Sequence, residues 1–466
     1  MSRTWASPSS SPTSVTRRVH FLTLGCPKNQ VDSEVMLGVL ARRGHEIVLD
    51  PALADVLVVN TCSFITPAKE ESIEAILDMA RVKAGRTGRR LVVAGCLAQR
   101  YADQLRTALP EVDVFIGTGD LLRIADAVEA PLAEGPVVYR GAHHVLPARE
   151  LATRVRTGAW WTAYLKVSEG CDHRCSFCII PRIRGRHESR PLTDLIEEAA
   201  RLAGEGVVEL NLIAQDLTAY GRDRRDGSSL AVLLRALAAR VPQARWLRLL
   251  YAYPASVTEE LLEVMATEAA VCHYLDMPLQ HISDRMLRAM RRERNGAVIR
   301  RLIERIRAAV PGIALRSSFI VGFPGEREED VAELCGFLEE AELDHVGVFR
   351  YSREEGTSAA GLADQVPERL KAERRARVME VQACVAARRA AAWVGRLTEV
   401  LVEGVDERGG LVGRTASQAP EIDGMVRLRG PATPGDLVEA RLTGAAIYDL
   451  EGEIVPAAVD TSPSGL

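Results

Sequence analysis

The chain has 466 residues, of which 47% are apolar, 26% charged and 5% aromatic. This length exceeds what one hydrophobic core can organise and predicts about three domains. Nine cysteines in so long a chain do not suggest a disulfide framework. The chain contains no run of eighteen apolar residues, which is the length needed to span a membrane. Reduced thiols indicate a cytoplasmic protein, and a formal charge of −4 gives no global basic footprint for nucleic acid.

The N-terminal third contains a tail and an alternating segment. Residues 1–17 are rich in Ser, Pro and Thr and have no apolar core, so we expect a disordered tail rather than a secretory signal. Residues 18–130 alternate between short apolar runs and amphipathic stretches. Such alternation predicts an open parallel α/β domain with helices packed on the sheet.

Three cysteines of this segment share one structural position. Cys26, Cys62 and Cys96, here called the strand-end cysteines, each follow an apolar run. Ligands bind at the carboxyl ends of strands in open α/β sheets. The separations of 36 and 34 residues correspond to about one βα unit each. A single cysteine in such a turn is more often an inert buried thiol, but three equivalent ones predict a cluster site.

The rest of the chain predicts two further domains. Residues 131–156 carry scattered Gly and Pro and are interpreted as a linker. Residues 157–393 contain six strand-like runs separated by helical stretches, which predicts a partial (β/α)6 barrel followed by a long helix. Residues 394–466 carry short β-rich runs with Gly and Pro turns, typical of a small antiparallel β-barrel. The fold class is therefore α/β with a β-barrel appended.

The most specific motif opens the barrel segment, in the sequence Cys171-Asp-His-Arg-Cys175-Ser-Phe-Cys178. These three thiols, the loop cysteines, can hold three irons of a four-iron cube and leave the fourth iron open to a small molecule. A zinc site is the alternative. Zinc usually takes four ligands in two separated pairs, and His173 is crowded between its neighbouring cysteines. The spacing therefore favours an iron–sulfur cluster at the mouth of the barrel.

Other strand ends carry residues that could serve a cofactor. Gly322 and Gly325 form a turn in which backbone can approach a ligand closely. Gln215 and Asp216 could hold an amino group or a ribose, and helix capping by Asp216 is an equal alternative. Arg316 could bind a carboxylate in bidentate fashion, and a surface salt bridge is an equal alternative.

The Cx₃Cx₂C loop, with Phe177 before its last cysteine, resembles the cluster loop of radical S-adenosylmethionine enzymes. From residue 20 to about residue 458 the domain order is similar to that of their methylthiotransferase branch, which ends in a TRAM-type barrel. Four strings resemble the subfamily that modifies a ribosomal protein: Leu24-Gly-Cys-Pro-Lys-Asn29, Cys171-Asp-His-Arg-Cys175, Asp276-Met-Pro-Leu-Gln-His281 and Gln418-Ala-Pro-Glu-Ile-Asp423.

The resemblance implies two [4Fe-4S] clusters and S-adenosylmethionine. The strand-end cysteines would hold an auxiliary cluster, and the loop cysteines would hold the cluster at which the cofactor is cleaved. The implied reaction is methylthiolation of the β-carbon of an aspartate in the small-subunit ribosomal protein of the decoding centre. An electron donor such as flavodoxin or ferredoxin is implied, and no catalytic side chain is assigned. The expected cofactor contacts are Phe177, Gln215, Arg316, Gly322 and Gly325.

Two other functions stay open. A tRNA methylthiotransferase acting on an adenosine beside the anticodon is one, because small barrels of this type often bind RNA. However, residues 394–466 contain six Arg and no Lys against twelve Asp and Glu, a net charge of −6. That charge suits a basic ribosomal protein better than a phosphate backbone. The other alternative is a non-enzymatic iron–sulfur or zinc protein that binds RNA during ribosome assembly.

Overall fold

The computed structural model describes residues 16–131, 133–292 and 295–456. Most of the predicted tail therefore lies outside the described residues. The chain divides into two compact units, Met1–Thr157 and Gly158–Leu466. Within the described residues, no helix combines the length and apolarity needed to cross a membrane.

The first unit is a parallel sheet covered by helices. Its central strands are mostly aliphatic and buried along their whole length, as expected for a sheet covered on both faces. The strands are β1 (Arg18–Thr23), β2 (Glu46–Ile47), β3 (Val56–Thr61), β4 (Arg90–Gly95), β5 (Val114–Ile116) and β6 (Val137–Tyr139). The helices are α1 (Pro27–Arg42), α2 (Thr66–Ala84), α3 (Cys96–Ala108), α4 (Ile124–Glu129) and α5 (Ala148–Ala152).

The strand order in this sheet is β2-β1-β3-β4-β5-β6, with every pair parallel. The predicted open α/β domain is thus confirmed, and β1, β3 and β4 are immediate neighbours. The segment 131–156 differs from the predicted linker because it contributes β6 and α5. The three residues of β6 are too few to produce a strand pattern in the sequence, but they pair with β5 and form the edge strand of the sheet.

The second unit begins with a six-stranded parallel sheet. Its strands are β7 (Thr162–Lys166), β10 (Glu209–Ile213), β11 (Trp246–Leu249), β12 (Val271–Asp276), β13 (Ala314–Val321) and β14 (His345–Arg350), and a short hairpin is formed by β8 (Ser168–Glu169) and β9 (Glu188–Ser189). The helices are α6 (Ile180–Arg184), α7 (Leu192–Gly204), α8 (Leu230–Arg240), α9 (Glu259–Thr267), α10 (Asp284–Met290), α11 (Gly296–Ala309), α12 (Glu328–Ala341) and α13 (Glu368–Ala391).

The six main strands are hydrogen-bonded in their order along the chain, from β7 to β14. Successive βα units with this order form the predicted partial barrel. Alternate strand residues pack outward against the helices, as Leu315 and Phe319 of β13 do, and leave Arg316 and Ser318 on the inner face. One face of α13 is also buried, at Val378 among others. The inner face of the barrel is therefore the polar one.

The C-terminal segment forms a closed barrel within the second unit. Its strands are β15 (Leu397–Val405), β16 (Leu411–Thr415), β17 (Val426–Arg429), β18 (Leu437–Ala445) and β19 (Leu450–Ile454), closed in the order β15-β16-β17-β19-β18. Four pairs are antiparallel, as predicted, whereas β17 and β19 are parallel. Five strands around a closed circle cannot alternate in direction throughout, so one parallel pair is unavoidable.

Candidate functional site

The strand-end cysteines follow the carboxyl ends of three adjacent strands of the first unit, β1, β3 and β4. Cys26 immediately precedes α1, Cys62 follows β3, and Cys96 is the first residue of α3. A Cβ placed on Gly25 would lie 3.3 Å from the Sγ of Cys62, so the turn before Cys26 touches that thiol. Two of the three thiols stand at helix N-termini, where the helix dipole favours an anionic thiolate cluster.

Asn29 joins the three turns. Its Nδ2 donates hydrogen bonds to the carbonyl of Leu24, at 3.0 Å, and to the carbonyl of Thr61, at 2.9 Å. Its Oδ1 accepts from the Sγ of Cys96 at 3.6 Å. This fully buried amide therefore contacts the residue before each of two cysteine turns and the third cysteine itself. It fixes the relative positions of the strand-end cysteines before any metal is bound.

If the strand-end cysteines hold a cluster, we expect Gly25→Ala to remove it. The backbone φ of Gly25 is +97°, and a Cβ there would lie 2.8 Å from the Cβ of Cys62. Both the strained φ and the contact would displace one thiol. Iron in the reconstituted protein should fall by about half if each three-cysteine set holds one cube. Gly44→Ala is the control, since Gly44 also has positive φ but open space around it; equal iron loss in both variants would contradict this account.

The loop cysteines of the second unit are held by backbone contacts on both sides. Gly170, with φ +77°, precedes them, and a Cβ on it would lie 1.9 Å from the carbonyl oxygen of Arg186. Ser176 donates its amide to the carbonyl of Met290 at 3.0 Å and accepts from the amide of Ala359 at 2.8 Å. The loop is therefore clamped between segments that are more than a hundred residues away along the chain.

The donor set fits a cluster. All nine cysteines are in the reduced thiol form. Burial raises the pKa of Cys171 to about 11 and that of Cys178 to about 12, and the neighbouring cysteines add to each shift. Such thiols keep their protons until a metal displaces them. Among the described residues, no three His, Cys, Asp or Glu side chains converge closely enough to hold one ion; a cube asks for a wider spacing, because each thiolate binds a different iron.

A buried ionic group lies directly before the loop. Glu169 accepts from the Nζ of Lys166 at 2.9 Å and from the Nη1 of Arg184 at 3.5 Å. Although burial by itself raises the pKa of Glu169, these two cations outweigh it and lower the value to about 2. Gln215 donates from Nε2 to the same carboxylate at 2.5 Å. Gln215 is thus held beside the loop with its amide group at the barrel mouth.

Asp216 does not cap a helix with its side chain. It binds the Nε2 of His173 at 2.6 Å and the hydroxyl of Thr218 at 2.6 Å. Burial raises its pKa, but these two hydrogen bonds prevail and hold the pKa below its usual range. The His173 ring stacks on Tyr253, with ring centroids 3.7 Å apart. His173 is therefore an anchor of the loop within this network.

The predicted glycine turn and Phe177 pack against protein groups. Phe177 contacts the apolar cluster that contains Met286 and Phe323. Gly322 has φ +72°, and a Cβ there would lie 2.2 Å from the Cγ of Lys371. Gly325 also has positive φ, and its carbonyl accepts from Arg285 at 2.7 Å. Both glycines are required by the backbone of the turn.

Arg316 differs from its predicted pairing with a cofactor carboxylate. Its Nη1 lies 2.9 Å from Asp276 Oδ1, and its Nε lies 3.4 Å from Asp423 Oδ1. The alternative, a salt bridge, is present, but it is buried rather than at the surface. Two protein carboxylates already occupy the guanidinium, and this contact joins the end of β12 to the small barrel.

Three family models match the chain in succession. They are Uncharacterized protein family UPF0004 over residues 18–117, the Radical SAM superfamily over residues 165–338 and the TRAM domain over residues 394–455. Two curated relatives are named ribosomal protein uS12 methylthiotransferase RimO. The one from Trichlorobacter lovleyi is 49% identical over 94% of this chain and 98% of its own length. The one from Anaeromyxobacter sp. is 51% identical over 94% and 93%. The chain belongs to the RimO family.

Solved structures agree with the fold of this RimO-family chain. Two structures of the radical S-adenosylmethionine methyltransferase TsrM from Kitasatospora setae match it with TM-scores of 0.52 and 0.53 at 18% identity. They cover 72% and 74% of this chain and 73% and 74% of their own. As a radical SAM methylthiotransferase of the RimO family, the enzyme uses S-adenosylmethionine and an iron–sulfur cluster.

Several residues of the RimO-family site carry no sequence signal of their own. Asn29 lies in a string that resembles the family, but nothing in its spacing predicts contact with three turns. Glu169 directly precedes the cysteine loop, so its position at a strand end could have drawn attention to it. Arg292 is 117 residues from Cys175 along the chain, yet its Nη1 lies 3.6 Å from that cysteine's Sγ. Only the fold brings such pairs together.

Proposed function

We propose that this enzyme transfers a methylthio group to the β-carbon of an aspartate in ribosomal protein uS12, using two [4Fe-4S] clusters and S-adenosylmethionine. The observation that carries the proposal is the presence of two separate sets of three reduced cysteines, each one ligand short of a cube. One set would hold the cluster that binds the cofactor. The other, on a separate domain, would hold the cluster from which sulfur is delivered.

The chemistry explains why a polar active site would not suffice. The β C–H bond of aspartate is unactivated, and no side-chain base at neutral pH removes such a hydrogen. When bound, the loop cluster and S-adenosylmethionine supply a carbon radical that can. The chain's own groups hold the cofactor and keep water away from it. We assign this role to Phe177, Gln215 and the turn containing Gly322 and Gly325.

The acidic small barrel supports a basic protein as substrate. Three of its acids bind other residues of the second unit. Glu399 accepts a hydrogen bond from Trp246, Glu403 pairs with Arg414, and Asp423 pairs with Arg316. The exposed carboxylates that remain are those of Glu407, Glu421, Asp436, Glu439, Glu451 and Glu453. These can attract a basic ribosomal protein and repel a phosphate backbone. We further propose a cytoplasmic setting and a one-electron donor such as flavodoxin or ferredoxin.

Deleting the gene for this chain tests the substrate directly. We expect mass spectrometry of ribosomal proteins from the deletion strain to show uS12 lighter by one methylthio group, with methylthio-modified tRNA nucleosides unchanged. Restoring the intact chain should return the modification, whereas restoring the Cys171→Ala variant should not. Loss of a methylthio group from tRNA, with uS12 still modified, would instead assign the enzyme to tRNA.

A further inference from the structure

Arg292 donates a hydrogen bond to one of the loop cysteines. It lies just after α10, where its backbone amide donates to the carbonyl of Leu287 at 2.9 Å. The guanidinium Nη1 points at the Sγ of Cys175 at 3.6 Å, and Nη2 donates to the carbonyl of Pro278 at 2.7 Å. The two ends of the guanidinium therefore join the loop to the segment that follows β12.

A stack of rings fixes the plane of this guanidinium. The Cζ of Arg292 lies 4.2 Å from the centroid of the Tyr253 ring, which is cation–π geometry. The same Tyr253 ring stacks on His173 at 3.7 Å and an interplanar angle of 10°. His173 belongs to the loop and is itself held by Asp216 at 2.6 Å. Carbonyl, ring and sulfur thus hold Arg292 at three points, which leaves it little freedom to turn from the thiol.

We propose that Arg292 is a positioning residue that sets the reduction potential of the loop cluster through its N–H···S contact with Cys175. A hydrogen bond from a cation to a cluster sulfur strengthens as the cluster gains negative charge. The contact therefore stabilises the reduced cluster more than the oxidised one and makes reduction easier. The inference rests on the proposed role of Cys175 as a cluster ligand, but it does not depend on which substrate is modified.

A redox titration followed by electron paramagnetic resonance tests this role. The parent protein for this experiment is the full chain with Cys26→Ala, Cys62→Ala and Cys96→Ala, so that only the loop cluster contributes a signal. In this background we expect Arg292→Gln to lower the ratio of reduced to oxidised cluster about tenfold at a fixed potential, which for one electron is 59 mV. Arg292→Lys keeps the charge without the planar fork, and its ratio should fall about threefold.

The matched control is Arg291→Gln. Arg291 is the exposed neighbour on the same turn, so this variant removes one charge of the same type. Its ratio of reduced to oxidised cluster at a fixed potential should equal that of the parent. If Arg292→Gln also titrates like the parent, or if the control shifts as far, the proposal is overturned. If Arg292→Gln binds no iron, the Lys variant decides, because an unshifted ratio there rejects the N–H···S contact as the cause. A parent that holds no iron would refute the ligand assignment and with it the role of Arg292, whereas an unshifted Arg292→Gln variant of an iron-loaded parent refutes that role alone.

Discussion

Replacing the three strand-end cysteines with Ala lowers the iron content from about eight to about four atoms per chain, if each cysteine set holds one cube. Replacement of Cys26, Cys62 and Cys96 removes all three thiols at the carboxyl ends of the strands in the first unit. The loop cysteines belong to the other compact unit. We therefore expect 5′-deoxyadenosine still to form with dithionite and S-adenosylmethionine, while methylthio transfer to uS12 falls below detection.

A matched variant separates ligand loss from general damage. Cys272, Cys335 and Cys384 are equal in number to the strand-end cysteines but lie apart, one buried, one half-buried and one exposed. Their joint replacement with Ala should leave iron at about eight atoms per chain. An unchanged iron content in the strand-end variant would remove the second cluster from the proposed function. Loss of all iron there would show that the two sites do not assemble independently.

Sequence-based prediction is strongest where the chemistry is local. The loop cysteines lie within eight residues, so their spacing alone predicts a three-ligand site. The strand-end cysteines were predictable at longer range because strand–helix alternation fixes where each turn must lie. By contrast, Arg316 pairs with Asp423 across more than a hundred residues. A guanidinium matches a cofactor carboxylate and an Asp carboxylate equally well, so residue type could not choose between them.

The same limit applies to charge. The composition of the small barrel gives its net charge, but not which carboxylates face solvent. Asp423 and Glu403 are both tied to arginines within the second unit, so they offer little to a partner. The amino-acid composition therefore overstates the number of acids that are available for docking. It still predicts that the barrel surface is negative, since acids such as Glu421 and Glu451 are exposed.

Glu209→Gln is expected to cost about 3–5 kcal/mol of unfolding free energy in the second unit. The Glu209 side chain is fully buried and accepts from Arg248 Nε at 2.8 Å and from Arg414 Nη2 at 2.7 Å. Arg248 is on β11 of the parallel sheet, whereas Arg414 is on β16 of the small barrel. The neutral amide would leave two buried guanidinium groups short of negative charge. Urea unfolding followed by circular dichroism measures the loss.

The pH dependence of that loss distinguishes the ion pair from simple repacking. Burial raises the pKa of Glu209, but Arg414 and Arg248 outweigh it and lower the value from 4.5 to about 2. A depressed folded-state pKa contributes stability above the unfolded value and loses it as pH falls toward the folded value. The gap between parent and Glu209→Gln should therefore be full at pH 7 and narrow between about pH 4.5 and pH 2. Glu263→Gln, which breaks an exposed pair with Arg235, should cost at most about 1 kcal/mol. A gap that stays constant with pH would assign the cost to lost packing rather than to charge.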